Sequence, residues 1–161
     1  MVLGGVVWGK FVVCFEINPI LYILDVLLTI KSIKMNIKTG CVGFHIAFSI
    51  PEEEVQRMES FIETHEKFMR ETHHIEGEVE PVILCYAILK SPELNNPLDP
   101  SSGETGNTLY GITEIYHGPE GAGAHMELGQ QREEMFSELV ALTTEYCVSG
   151  ILGAPVIRAM Q

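Results

Sequence analysis

The sequence predicts an α+β domain of ferredoxin-like order, β-α-β-β-α-β, with its four strands in one antiparallel sheet. Three observations carry that reading. Val42–Ile50 and Thr108–His117 each alternate their side chains with the period of two that a strand imposes. Between them, Val55, Met58, Phe61, Ile62, His65, Phe68, Met69 and Thr72 follow i, i+3, i+4, i+7 spacing, which is one buried stripe of a long helix. Pro81–Lys90 is almost wholly apolar, the pattern of a strand covered on both faces.

The first strand sends Phe44, Ile46, Phe48 and Ile50 to one face and Gly43, His45, Ala47 and Ser49 to the other. Ser49 and Glu52 stand at capping-box spacing, Pro51 falls in the first turn, and Glu52–Glu54 suit the positive end of a helix. The helix is expected to run to about His73, with His73 and His74 as a C-terminal cap favoured by the helix dipole. Ser91–Gly106 is dense in Pro, Asn, Ser and Gly and reads as a long loop, of a length often used for lids. The third strand places Tyr110, Ile112, Glu114 and Tyr116 on one face and Leu109, Gly111, Thr113 and Ile115 on the other. A short helix is expected around Glu120–Leu128 and a longer one over about Gln130–Tyr146, with Met135, Phe136, Leu139, Val140, Thr143 and Tyr146 on one stripe. Cys147–Leu152 and Pro155–Ala159 form the last strand, broken at Gly153–Pro155. Helices on one face of such a sheet leave the other bare. Strands apolar on both faces therefore need a second sheet, most simply from another copy of the chain, so a homodimer is expected.

At 161 residues the chain can bury a sizeable core, and 46% apolar content with 20% charged residues excludes a disordered chain. The net charge of −12 argues against nucleic acid and against an anionic membrane surface. Cys14, Cys41, Cys85 and Cys147 form no C-x-x-C pair, so zinc-ribbon and thioredoxin-like chemistry lack support. Scattered cysteines in apolar surroundings read as reduced core residues in a reducing, cytoplasmic compartment.

Residues 1–34 differ from the rest: rich in Val, Ile and Leu, without clear period. Lys10, Glu16 and Asp25 interrupt them, leaving no uncharged run near the roughly 18–20 residues of a spanning helix. A basic start and a small-residue cleavage site, the marks of a secretory signal, are not evident. Residues 1–34 are read as a hydrophobic extension outside the core fold, with Met35 a candidate initiator and residues 35–161 the working domain. An added structural element covering the domain is the alternative, and Ile20–Ile30 a candidate amphipathic helix within it.

Glu114, between Ile112 and Tyr116 in strand parity, would have a raised pKa if buried and could act as a base. It could equally be a structural carboxylate bonded to a helix terminus or to His125. His125 follows in the next helix, so a Glu114–His125 pair can orient an imidazole as a general base or simply lock the turn. His65 lies in the apolar stripe of the first helix, as a proton shuttle or a hydrogen-bonded core histidine. Tyr110 and Tyr116 can bond or stack on an aromatic ligand, or be core residues with hydroxyls at the rim. His45 shares its face with small residues, leaving room for a ligand. No H-E-x-x-H or facial-triad spacing is visible, so no metal is expected. GPEGAGAH lacks the lysine of a phosphate loop.

The opening strand, the helix VQRMESFIETHEKFMRETH and the segment TLYGITEIYHGPEGAGAH together resemble the antibiotic-biosynthesis-monooxygenase-like (ABM) domains of the dimeric α/β-barrel superfamily, over residues 41–161. The shared features are an aromatic-rich third strand with an acidic residue, a short turn and an Ala-His pair, here Glu114, Tyr116, Ala124 and His125. Many members carry Trp where this chain has Tyr116, and a shorter connection in place of Ser91–Gly106. The resemblance implies a homodimer whose two sheets pack into a barrel, with a small cavity between sheet and helices in each subunit. It also implies activities such as cofactor-independent oxygenation of phenolic or quinol compounds, haem degradation or signal-molecule processing, although fold alone fixes little.

The leading expectation is a homodimer that binds a small apolar or aromatic molecule and oxygenates it without a cofactor. His125 or His65 would remove a phenolic proton, with Glu114, Tyr110, Tyr116, His45 and Ile112 orienting the substrate. The rivals are a non-catalytic ligand-binding or stress-associated dimer and, third, a haem-binding protein with one histidine as axial ligand.

Overall fold

The structure, a computed structural model, describes residues 37–160 together with residues 7–8 and 11–12. The chain divides into two units, Met1–Lys34 and Met35–Gln161. In the first, Val7–Trp8 pairs antiparallel with Phe11–Val12. The expected amphipathic helix over Ile20–Ile30 lies outside the described residues.

The second unit is α+β, a four-stranded antiparallel sheet with three helices. Its strands are β1 (Val42–Ile50), β2 (Ile83–Leu94), β3 (Glu104–Tyr116) and β4 (Cys147–Pro155). Its helices are α1 (Val55–Thr72), α2 (Pro119–Gln130) and α3 (Glu133–Tyr146). The strand order is β4-β1-β3-β2, which is compatible with a ferredoxin-like fold. β1 and β3 pair without a slip from Val42↔Tyr116 to Ile50↔Thr108, so Phe44 stands opposite Glu114 and Ile46 opposite Ile112. On the other side of β3, Tyr86 of β2 also stands opposite Glu114. Register thus places Glu114 between two aromatic side chains on the helix-covered face.

That face holds the core. Phe48, Ile50, Ile112, Tyr110 and Tyr116 of the sheet pack against Met58, Phe61, Ile62, Phe68 and Met69 of α1 and Met135 and Leu142 of α3. Each such burial stabilises the fold by about 1.5–3 kcal/mol for a large aliphatic or aromatic group. Arg57 of α1 joins the two long helices through Glu138 at 2.6 Å and Glu145 at 2.9 Å. These half-exposed pairs fix orientation more than they add stability, at about 0–1 kcal/mol each.

Four expectations change. Ser49 does not cap α1: Pro51 precedes a short 3₁₀ turn, Glu52–Glu54, with no side-chain cap, and the Ser49 hydroxyl donates to Glu93 on the neighbouring edge. The Ser91–Gly106 segment is loop only in its middle. Its ends continue β2 and β3 as a hairpin, Ser91 opposite Leu109 and Leu94 opposite Glu104. The connection that remains is closed by the Asn95 amide donating to the carbonyls of Ser102 and Gly103. Glycine and proline marked the turn, but pairing with the adjacent strand overrode them elsewhere. β4 runs unbroken through Gly153 to Pro155: Gly153 takes φ +66°, and a register shift against Gly43 and His45 absorbs the irregularity. His73 is more than a cap, as the site shows.

Candidate functional site

β3 delivers the carboxylate. With its neighbours bonded on both sides, strand alternation sends Glu114 into the space under α1, α2 and α3, where it is 3% exposed. α1 delivers His65 from the middle of its apolar stripe. α2 delivers His125, one face of a helix that starts directly after β3 with Pro119 at its first turn. Gly121 lets that helix approach closely: a Cβ there would stand 3.3 Å from the Tyr116 Cβ and 2.6 Å from a Glu80 carboxylate oxygen.

The two imidazoles converge on the carboxylate, one at each oxygen. His65 Nε2 lies 3.4 Å from Glu114 Oε1, and His125 Nε2 lies 3.4 Å from Glu114 Oε2. The Tyr116 hydroxyl donates to Oε2 over 2.7 Å. Behind this set stand further hydrogen-bond partners. His65 Nδ1 meets the Tyr86 hydroxyl at 3.1 Å, and His125 Nδ1 meets His73 Nε2 at 3.0 Å. His73 Nδ1 meets Thr72 Oγ1 at 2.9 Å, while that hydroxyl donates to the Phe68 carbonyl. Aromatic rings wall the cluster: Phe61 stacks on His65, and Phe44 packs against His125.

This network assigns protons. The Thr72 hydroxyl is already committed as donor, so it accepts from His73 Nδ1–H. His73 Nε2 is then an acceptor. The Tyr116 hydroxyl, 3.3 Å from His73 Nε2, is committed to Glu114, so His125 Nδ1–H is the donor to His73. A neutral His125 therefore turns the lone pair of Nε2 toward Glu114.

Burial sets the charges. It holds the His65 imidazole down to about 4, helped by His73, and His73 itself down to about 4. His125 falls to about 3 through burial and then through His73 and His65. Burial pushes the Glu114 carboxyl up to about 7 against the opposing bond from Tyr116. Burial and the nearby Glu114 also hold the Tyr116 hydroxyl well above the usual phenol range, so it serves as a donor and not as an acid.

The cluster closes one end of a cavity of about 240 Å³. Phe44, Ile46 and Ile112 of the sheet, Phe61 of α1, Met126 of α2 and Phe136, Leu139 and Val140 of α3 make its wall, and Leu152 of β4 stands with them. The polar lining is Glu114, His65 and His125, with Thr143 and Thr144. Val140 and Leu152 are exposed, so the cavity opens between α3 and β4. Its volume lies below the roughly 300–1,000 Å³ of pockets for drug-sized ligands, so it suits a compound of one or two rings.

The sequence-predicted residues divide accordingly. Glu114, His65, His125 and Ile112 meet at the cavity. Tyr116 supports Glu114 from behind. Tyr110 is on the same face but turned away: its hydroxyl donates to Glu59 of α1 over 2.6 Å, and it is not part of the cavity wall. His45 is on the opposite face, its Nδ1 bonded to Thr113 at 2.9 Å. Neither lines the cavity beside Glu114. His73 and Tyr86 were missed. Tyr86 needs the β2–β3 register to be found, whereas His73 gave a signal in the sequence by following Thr72 at the end of the apolar stripe. Absent metal-ligand spacing led to an expectation of no metal, yet His65, Glu114 and His125 each bring one ligand atom within 4.8 Å of the others.

No protein-family model, curated protein or solved structure matches this chain. The candidate site therefore stands on its own geometry.

Proposed function

We propose that the protein is a homodimeric small-molecule enzyme of the dimeric α/β-barrel, ABM-like type, and that it oxygenates a phenolic or quinol-type compound without an organic cofactor. One observation carries the reading: an apolar cavity of one- or two-ring size ends on a buried carboxylate flanked by two imidazoles. The apolar wall takes the ring system, and the polar end takes its hydroxyl.

The chemistry balances without an external reductant. Loss of the phenolic proton to the Glu114–histidine cluster makes an electron-rich anion. Its free ring position combines with O₂, one oxygen atom stays as the new carbonyl and the other leaves as water, and the substrate supplies all the electrons. A naphthol becomes a naphthoquinone in this way. The imidazoles are held near 4 and 3, so Glu114, at about 7, is the better proton acceptor near neutral pH. His65 and His125 then position the hydroxyl, the reverse of the roles the sequence suggested.

The second copy is supported by the other face of the sheet. It presents Ala87 and Leu89 of β2, Leu109 and Ile115 of β3 and Ile151 of β4, with Leu89 61% and Ile151 52% exposed. Light scattering should give twice the chain mass. Among the described residues no helix is long and apolar enough to cross a membrane.

The test of the activity is quinone formation from simple naphthols by chelator-treated protein in air, comparing wild type with His125→Ala and Glu114→Gln. Turnover by wild type that drops in both variants is expected. Binding without turnover would leave a ligand-binding protein in place of an oxygenase. Equal rates in folded variants would remove those residues from the reaction.

A further inference from the structure

We infer that His65, Glu114 and His125 form a site for one divalent first-row transition-metal ion, open on its cavity side. This rests on the donor set alone and not on the oxygenase reading.

The contact lengths are the first reason. Both histidine–carboxylate contacts are 3.4 Å, longer than the roughly 2.7–3.2 Å of an N–H···O hydrogen bond. They lie near the roughly 3.3–3.4 Å separation of two ligands that each stand 2.0–2.1 Å from one ion, His65 measured to Oε1 and His125 to Oε2. Three ligand atoms from three different elements, all buried, lie within 4.8 Å of one another.

The second reason is the shell behind the ligands. Metal-binding imidazoles hold their other ring nitrogen on a fixed partner, which sets tautomer and ring orientation. Both do so here: His65 Nδ1 on the Tyr86 hydroxyl, His125 Nδ1 on His73. The carboxylate is likewise held, by Tyr116.

The third reason is the direction of a lone pair. The chain Phe68 carbonyl, Thr72, His73, His125 leaves the His125 Nε2 lone pair facing Glu114. A metal ion takes that lone pair together with the carboxylate and His65 Nε2.

Two imidazoles and one carboxylate with a vacant side suit zinc or ferrous iron. The vacant side faces the cavity, where a ligand oxygen would complete the coordination. A phenolic hydroxyl would thus go to the same end of the cavity in either state.

The test uses tag-free full-length protein, stripped with chelator and titrated with Zn²⁺ by calorimetry and with Co²⁺ by visible absorption. One ion per chain and the weak d–d bands of a nitrogen–oxygen site are expected. Glu114→Gln and His125→Ala should each weaken Zn²⁺ binding by about 100-fold or more. Tyr86→Phe, which removes only the hydroxyl behind His65 Nδ1, should weaken it by about 10–100-fold. Circular dichroism checks that each variant folds. No stoichiometric binding by folded wild-type protein overturns the inference, whatever the variants do. So does binding that persists unchanged in folded Glu114→Gln and His125→Ala. Neither readout involves turnover, so a failed oxygenase assay and a failed metal site are separate results.

Discussion

Tyr116 and Tyr110 stand on the same face of β3, and each donates its hydroxyl to a glutamate: Tyr116 to Glu114 over 2.7 Å, Tyr110 to Glu59 over 2.6 Å. The bonds are alike, but the surroundings are not. Glu114 is enclosed by neutral imidazoles and aromatic rings, and burial pushes its carboxyl up to about 7. Glu59 lies near the surface, where the Lys90 ammonium and the Tyr110 hydroxyl hold its carboxyl below the usual range. A tyrosine bond by itself therefore does not set the protonation of a glutamate. Desolvation decides at one end of the face and a cation decides at the other. The proposed function uses the end where, among the described residues, no Lys or Arg pairs with the carboxylate.

The largest difference between the two pairs should appear in activity. Glu114→Gln is expected to lower turnover of a phenolic probe by about 10²–10⁴-fold, the usual contribution of a proton-transfer group. Glu59→Gln should leave the rate within about twofold of wild type. Comparable losses in both variants would dissolve the distinction.

Stability should separate the tyrosines next. Tyr116→Phe strips a buried carboxyl oxygen of its donor and should cost about 1–3 kcal/mol in chemical denaturation. Tyr110→Phe, beside a glutamate that Lys90 also holds, should cost about 0.5–1.5 kcal/mol.

The pH response of metal-free protein sharpens the comparison further. His65, His73 and His125 hold protons less readily when folded than the usual 6.5, so the unfolded chain protonates first as pH falls. Their stabilising effect is present above about 6.5 and is lost between there and about 4. Glu114 works in the other direction, adding stability as pH falls through about 7, but one carboxyl opposes three imidazoles. The thermal midpoint should therefore fall as pH drops from 6.5 to 4. Glu114→Gln should remove a loss of stability that develops as pH rises from about 4.5 to about 7, and so steepen the acid limb. A midpoint constant across this range would show that the imidazoles are not buried neutral.

The smallest effect belongs to Glu59→Gln. Its partner Lys90 is exposed and screened by salt, so the midpoint should move by less than about 2 °C, and less still in 0.5 M NaCl.

Much of the fold was legible because both periods were clean. β1 emerged with its bounds, and the buried side of α1 was named nearly residue by residue, His65 included. Glu114 and His125 were paired because the strand and the helix are joined by a two-residue turn. What failed depended on partners far along the chain. Glycine and proline in Ser91–Gly106 suggested a lid, but residues on both sides gain backbone bonds by extending the β2–β3 hairpin. His45 and Tyr110 were assigned to the ligand from local character. The β1–β3 register, and the bond from Tyr110 to a glutamate on α1, send them elsewhere. The three-residue cluster spans His65 to His125, so no short spacing could have announced it.

The centre of the molecule's chemistry is best tested by watching the histidines. Long-range ¹H–¹⁵N spectra of metal-free protein, titrated with 1-naphthol under nitrogen, resolve each imidazole. The ring signals of His65 and His125 should shift on binding, and that of His45, across the sheet, should not. Binding that moves His45 and leaves His65 and His125 unchanged would place the ligand on the other face and contradict the site built around Glu114.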